Sequence, residues 1–157
     1  MSSNKQNAQS SLLDRLIDNE PGNTREPVQY RFSVGQIKDA VVRDLENLLN
    51  TRRQIQLPPG EYREVQNSFY LYGLQDFTSA NPDSPFVKQR LRQAIEQAIS
   101  SYEPRLKNVT VQVESSSKNE RNLRFRITAV LKVEAIAEPV TFDTFFDISR
   151  SEYRISR

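Results

Sequence analysis

The sequence predicts an α+β domain: N-terminal helices followed by an antiparallel β-sheet with a helix packed on one face. Three observations predict it. Apolar residues recur at helical spacing up to Tyr102 and at strand spacing after Leu106, with Glu103-Pro104-Arg105 between the two regimes. Two helix starts are written in the sequence, Ser33 with Gln36 three residues on, and Ser84-Pro85. From Leu123 to Val133 every second residue is apolar.

Taken in order, residues 1–10 are polar and are expected to be disordered. Residues 11–32 read as a short helix and a linker. Leu12, Leu13, Leu16 and Ile17 form one apolar stripe, and Pro21-Gly22 follows it. A helix this short is marginal alone, so the stripe needs a surface, either its own domain or a partner. Residues 33–157 read as a single domain. Its first helix buries Val34, Ile37, Val41, Leu45, Leu48 and Leu49 and runs to about Asn50. Lys38, Asp39, Arg43, Asp44 and Glu46 fall on the solvated side. Leu57-Pro58-Pro59-Gly60 is a turn, and Tyr70 to Phe77 reads as a packed aromatic loop in which Gly73 supplies a left-handed residue.

The next helix starts at Pro85 and buries Phe86, Val87, Leu91, Ala94, Ile95, Ala98, Ile99 and Tyr102. Proline at 104 ends it, because the residue before a proline is pushed out of the α region. Glu103 and Arg105 then project to the same side of an extended segment. By local physics these are a helix stop and two solvated charges. Strands follow at Val109–Val113 and Leu123–Val133, with a polar connection over Ser115–Asn122. A turn is expected at Glu138-Pro139, then a strand over Phe142–Ile148. A last short strand includes Tyr153 and Ile155. Val130, Phe145 and Tyr153 fall on the nominally outer face.

Composition excludes much chemistry. The 157 residues carry 22 bases and 20 acids for a net charge of +2, with 36% hydrophobic residues and no histidine or cysteine. Mean hydropathy is −0.68. Ser-His-Asp and Cys-His catalysis are impossible, as are histidine- or thiolate-bound zinc, disulfides, and the glycine-rich phosphate loops. No catalytic residue, metal site, cofactor or small-molecule substrate is expected. Asp76 and Glu103 could be paired as glycosidase carboxylates, but nothing places them in one cleft. Lys118, Arg121, Arg124, Arg126 and Lys132 form a basic stripe, yet Glu114, Glu120 and Glu134 interrupt it and no stacking aromatics alternate with it. A solvated sheet face explains it better than nucleic acid. Met1–Gln9 lacks the apolar core of a secretory signal, and no apolar run is long enough for membrane insertion.

Several segments in sequence carry a resemblance: Ser11 to Leu16, Ser33-Val34, Arg43 to Arg52, Tyr72 to Asp76, Tyr102 to Leu106, and Phe142-Asp143-Thr144. Together they resemble the TssE family of type VI secretion baseplate subunits. That family groups with the contractile-phage baseplate wedge proteins once labelled lysozyme-like. Gln75 departs from the family, which often has proline there. The resemblance implies a non-enzymatic structural protein on the cytoplasmic side, in a baseplate docked near the inner membrane. It implies that Glu103, Pro104 and Arg105 contact the wedge core made by TssF and TssG. It further implies that the strands around Arg121–Val133 and Val140–Ser149 form the edge facing the TssB/TssC sheath and start its polymerisation by strand pairing, with Arg124, Arg126, Val130 and Phe145 as sheath-facing candidates. A peptidoglycan hydrolase, from the old label, is the alternative; a basic nucleic-acid module is the weaker one.

Overall fold

The computed structural model describes residues 7–9, 11–16, 21–22, 31–57, 59–66, 68–77, 81, 84–114, 122–134, 136–147, 150 and 152–156. The elements in order are β1 (Asn7–Gln9), α1 (Leu12–Leu16), β2 (Arg31–Ser33), α2 (Val34–Asn50), α3 (Arg63–Gln66), a 3-10 turn at Phe69–Leu71, α4 (Pro85–Tyr102), β3 (Leu106–Glu114), β4 (Asn122–Val133), β5 (Ile136–Asp147) and β6 (Glu152–Ser156). Among the described residues, β3 to β6 form one antiparallel sheet in sequence order, and β1 pairs with β2 separately. The expected disorder over residues 1–10 is therefore corrected at Asn7–Gln9, whose backbone pairs with Arg31–Ser33. The rest of that tail lies outside the described residues, as do most of the linker and the Ser115–Arg121 connection with Lys118 and Arg121.

Both long helices begin where the sequence says. Gln36 N–H donates to Ser33 Oγ and Ser33 N–H donates to Gln36 Oε1 (2.9 Å), which is the reciprocal capping box. Ser84 is extended and precedes Pro85, but its side chain makes no cap; Lys88 N–H instead donates to the Ser84 carbonyl. α4 packs against β3 and α2 against β6. The core between them holds Val41, Leu45, Leu91, Ile95 and Ile99 from the helices and Val111, Phe125, Ile127, Leu131 and Phe142 from the sheet. Each such side chain contributes about 1.5–3 kcal/mol by leaving water. Phe86, expected in the α4 stripe, is instead exposed.

The alternation in β4 holds: Leu123, Phe125, Ile127, Ala129 and Leu131 are buried. Three expectations in the sheet are corrected. The turn at Glu138-Pro139 is instead at Glu134, which takes a left-handed φ of 51°. Pro139 lies inside β5 opposite Val130, and β6 reaches only Asp143–Asp147, so β5 has an open side there that does not need a proline N–H. Tyr153 is not outward but buried, its ring 4.5 Å from that of Phe146. And β4 is an interior strand, flanked by β3 and β5 along nearly its whole length, so it offers no edge for pairing. Ile148 lies outside the described residues.

The true edges are guarded. On β6, Tyr153 N–H donates to Asn50 Oδ1 (2.7 Å) and Asn50 Nδ2 donates to the Tyr153 carbonyl (2.9 Å), so one carboxamide imitates a neighbouring strand. Ile155 N–H donates to Glu46 Oε1 (2.9 Å). On β3, Val111 N–H donates to Glu96 Oε1 (2.9 Å), and a register shift with Asn108 at φ 54° kinks the strand. Replacing Asn50 by alanine is expected to cost about 1–2 kcal/mol and to open β6 to edge pairing. Sedimentation velocity should then show concentration-dependent association; a strictly monomeric, equally stable variant would refute this role. Thr144 is the converse case. Its hydroxyl is buried without a partner among the described residues, so Thr144→Val should stabilise the protein by about 1 kcal/mol in urea unfolding.

Candidate protein-binding site at the helix-to-sheet joint

The joint at Glu103-Pro104-Arg105 is fixed on both sides. Glu103 N–H still donates to the Ile99 carbonyl (2.9 Å), while its φ of −118° and ψ of 83° take the chain out of the helix. Leu106 N–H donates back to the Glu103 carbonyl (3.1 Å), and Lys132 N–H on β4 donates to the Arg105 carbonyl (2.8 Å). A backbone held by these three hydrogen bonds has little freedom left, so the side chains leave it in set directions.

Glu103 and Arg105 do share a side, and they meet. Arg105 Nε donates to Glu103 Oε1 (2.6 Å) and Arg105 Nη2 to Glu103 Oε2 (2.5 Å), a two-pronged fork. The reading of two solvated charges is corrected: Glu103 is 4% exposed. The same Nη2 reaches Asp44 Oδ2 on α2 (2.6 Å). Asp44 Oδ1 accepts from Arg43 Nε (3.1 Å) and Nη2 (3.0 Å), and Arg43 Nη2 donates to Asp14 Oδ1 on α1 (2.7 Å). Ser11 Oγ donates to the other Asp14 oxygen (2.6 Å). Five alternating charges thus run from the joint across α2 to α1.

The electrostatics follow the geometry. Burial alone would lower the Arg105 pKa, but the hydrogen bonds and charges of Glu103 and Asp44 outweigh it and raise it. Burial would raise Asp14, yet the bonds from Ser11 and Arg43 hold it below its ordinary value of 3.8. A depressed carboxylate contributes stability that is complete above its unfolded pKa and lost as pH falls through its folded one. The anchoring of α1 should therefore be intact at neutral pH and begin to fail only below about pH 4. Following the Asp14 carboxyl carbon by NMR tests this; a midpoint above the ordinary value would contradict it. Burial, reinforced by Asp44 and Glu103, also pushes up the Tyr72 phenol beside them.

Asp14, Arg43 and Asp44 are the residues that sequence reading placed in solvent or passed over. The Ser11-to-Asp14 spacing is a local capping signal, but Arg105 and Asp44 are 61 positions apart and carry no local signature. α1 is tied down by its polar side. Leu12 is 71% and Leu16 82% exposed, so the described part of the stripe does not dock on its own domain. Ile17 and the side chain of Leu13 lie outside the described residues. At the joint itself Pro104 is exposed and Arg105 partly so. Glu103 is buried and both its carboxylate oxygens accept from Arg105.

The sheet-face candidates do converge. Arg124 and Phe145 are cross-strand neighbours, the guanidinium 5.5 Å from the ring centre. Arg126 bridges Glu114 on β3 (2.8 Å) and Asp143 on β5 (3.0 Å), and Val130 shares its face. The glycosidase candidates do not converge: Asp76 pairs with Arg52 at 3.3 Å near Phe146, whereas Glu103 is held by Arg105. Among the described residues no cluster of carboxylates could hold a metal ion, and no helix is long and apolar enough to cross a membrane.

A family model described as baseplate wedge protein gp25 matches residues 35–135, more than half of the chain. That stretch contains Arg43, Asp44 and the whole joint; Asp14 lies before it. Among solved structures, the chain is similar to one from "The baseplate complex from the type VI secretion system", at 18% identity and a TM-score of 0.49, covering 71% of this chain and 94% of that one. No curated protein sequence matches.

Proposed function

We propose that this chain, which belongs to the gp25 family of baseplate wedge proteins, is a structural subunit of a type VI secretion baseplate that joins the TssF–TssG wedge core to the TssB/TssC sheath. The observation that carries the reading is the charge chain from Glu103 to Asp14. It ties α1, α2 and the joint together, with Leu12, Leu16 and Pro104 exposed and Arg105 partly so. A preformed arrangement of this kind loses little entropy on binding. Two exposed leucines and a fixed cation on elements tied to each other suit a partner with an apolar groove and an acidic rim.

Contact with the sheath is assigned to the open sheet face carrying Arg124, Arg126, Val130 and Phe145. Strand pairing with the sheath is assigned to the first half of β5, which β6 leaves open, because β4 has both neighbours and the β3 and β6 edges are guarded. We place the assembly on the cytoplasmic side of the inner membrane. The test is co-purification with TssF and TssG. Leu12→Ser with Leu16→Ser touches only exposed side chains, so folding should be unchanged while recovery of TssF and TssG falls at least tenfold. Unchanged recovery would remove α1 from the interface. Arg124→Ala with Phe145→Ala should leave that recovery intact and reduce sheath assembly; normal sheath assembly would refute the sheet-face assignment.

A further inference from the structure

Between α4 and the segment from Arg53 to Gln75 lies a cleft of ≈ 250 Å³. It is lined by two guanidiniums, Arg53 and Arg90, and four carboxamides, Gln66, Gln75, Gln93 and Gln97, with no carboxylate among the described lining residues. Arg90, Gln93 and Gln97 share one face of α4 at helical spacing, and between them Ala94 and Ala98 leave room for a chain to approach. Neither arginine makes an ion pair among the described residues, and the four carboxamides make no side-chain hydrogen bond there. By contrast, Arg43, Arg105 and Arg126 are each held by two acids.

We propose that this cleft binds an extended acidic segment of a partner protein. Guanidiniums receive carboxylates as paired donors. Carboxamides donate and accept at once, which matches the N–H and C=O groups of an extended backbone. Apolar rings stand at both flanks: Phe86, 69% exposed, lies under the Arg90 guanidinium at 5.8 Å, and Phe69, 79% exposed, stacks on Tyr102, a lining residue. Rings around a polar centre suit a peptide with apolar side chains beside its acids. The cleft is a different surface from the charge chain: Tyr102 lines it and packs edge-on against Tyr72, which lies on the side of Asp44 and Glu103.

The experiment is an NMR titration of the full ¹⁵N-labelled chain with a seven-residue capped peptide of alternating glutamate and leucine. Parallel titrations use its glutamine counterpart, inorganic phosphate, and a short oligothymidylate. The acidic peptide should shift the amides of Arg53, Arg90, Gln93 and Gln97. Its affinity should fall at least tenfold in Arg53→Ala with Arg90→Ala. It should also fall at least tenfold in Gln93→Glu with Gln97→Glu, which brings negative charge into the cleft while keeping both guanidiniums. Equal shifts with the glutamine peptide or with phosphate would reduce the cleft to a nonspecific or simple anion site. Tighter binding of the oligothymidylate would make it a nucleic-acid site. Shifts confined to the Arg124 and Arg126 face, or none, would overturn the proposal outright.

Discussion

Replacing Glu103 by alanine should destabilise the protein by about 3–5 kcal/mol, because it leaves the largely buried Arg105 guanidinium with one of its two acids. The melting temperature should fall by roughly 10 °C or more. Glu103→Gln is no remedy. One carboxamide oxygen can still accept from Arg105, but the NH₂ group would then face a second donor. The double variant Glu103→Leu with Arg105→Met behaves differently. It removes both charges together and fills the space, and such exchanges cost little or nothing in net stability. This separates two roles that single substitutions confuse. If the joint matters to a partner through its charges, the double variant should be nearly as stable as the parent and still lose the wedge proteins. If the joint matters only to folding, the double variant should keep them. Urea unfolding of both variants, followed by co-purification of the double one, decides between these. A loss under about 1 kcal/mol for Glu103→Ala would show that the fork does not hold the joint.

The contrast between Glu103 and Asp44 shows what the sequence could disclose. Proline at 104 predicts that Glu103 leaves the helix, and the two-residue spacing predicts that Glu103 and Arg105 lie together; both follow from backbone geometry local to three residues. Their burial is not local. It depends on α2 crossing beside the joint and bringing Asp44, and no periodicity in α2 separates Asp44 from its solvated neighbours. The same division runs through the sheet. Strand existence and inner face were legible in β4, since alternation is a property of one strand. Strand order is a property of the whole sheet. So β4 could be expected to pair with the sheath when it lies between β3 and β5.

Pro139 and Tyr153 failed for related reasons. Proline was expected to turn the chain because it usually cannot sit in a strand; here β6 stops at the Asp143 pairing and leaves β5 one open side. Alternation read along β5 does not carry past the turn before β6, because a turn can change parity. The pairing of Tyr153 with Phe146 turns it inward, where burial pushes its phenol pKa up. The cleft was not legible at all. Its glutamines come from three separate segments, and uncharged side chains scattered along a polar sequence give no pattern.

Gly73 was legible as a left-handed residue, and the structure adds why no side chain is tolerated there. Its φ is 102°, and a Cβ would lie 2.3 Å from the backbone oxygen of Thr51. That oxygen accepts from Leu74 N–H (2.9 Å), and Arg53 N–H donates to the Leu74 carbonyl (2.7 Å), so the close approach is a short parallel bridge between two loop segments. Gly73→Ala must either force the bridge apart or strain the backbone, and Leu74, a core residue, moves with it. The expected cost is about 3 kcal/mol, combining an unfavourable φ with a damaged pair of hydrogen bonds. Because the nearest atom is backbone, trimming the neighbour cannot help: Thr51→Ser in the same chain should recover almost nothing. Hydrogen exchange gives the local readout, since the Leu74 and Arg53 amides should lose protection beyond the global change in stability. Gly73 also lines the cleft, so acidic-peptide binding should weaken in this variant although both guanidiniums remain. Full stability in Gly73→Ala would mean that the bridge opens at no cost, and that the cleft has no fixed wall on that side.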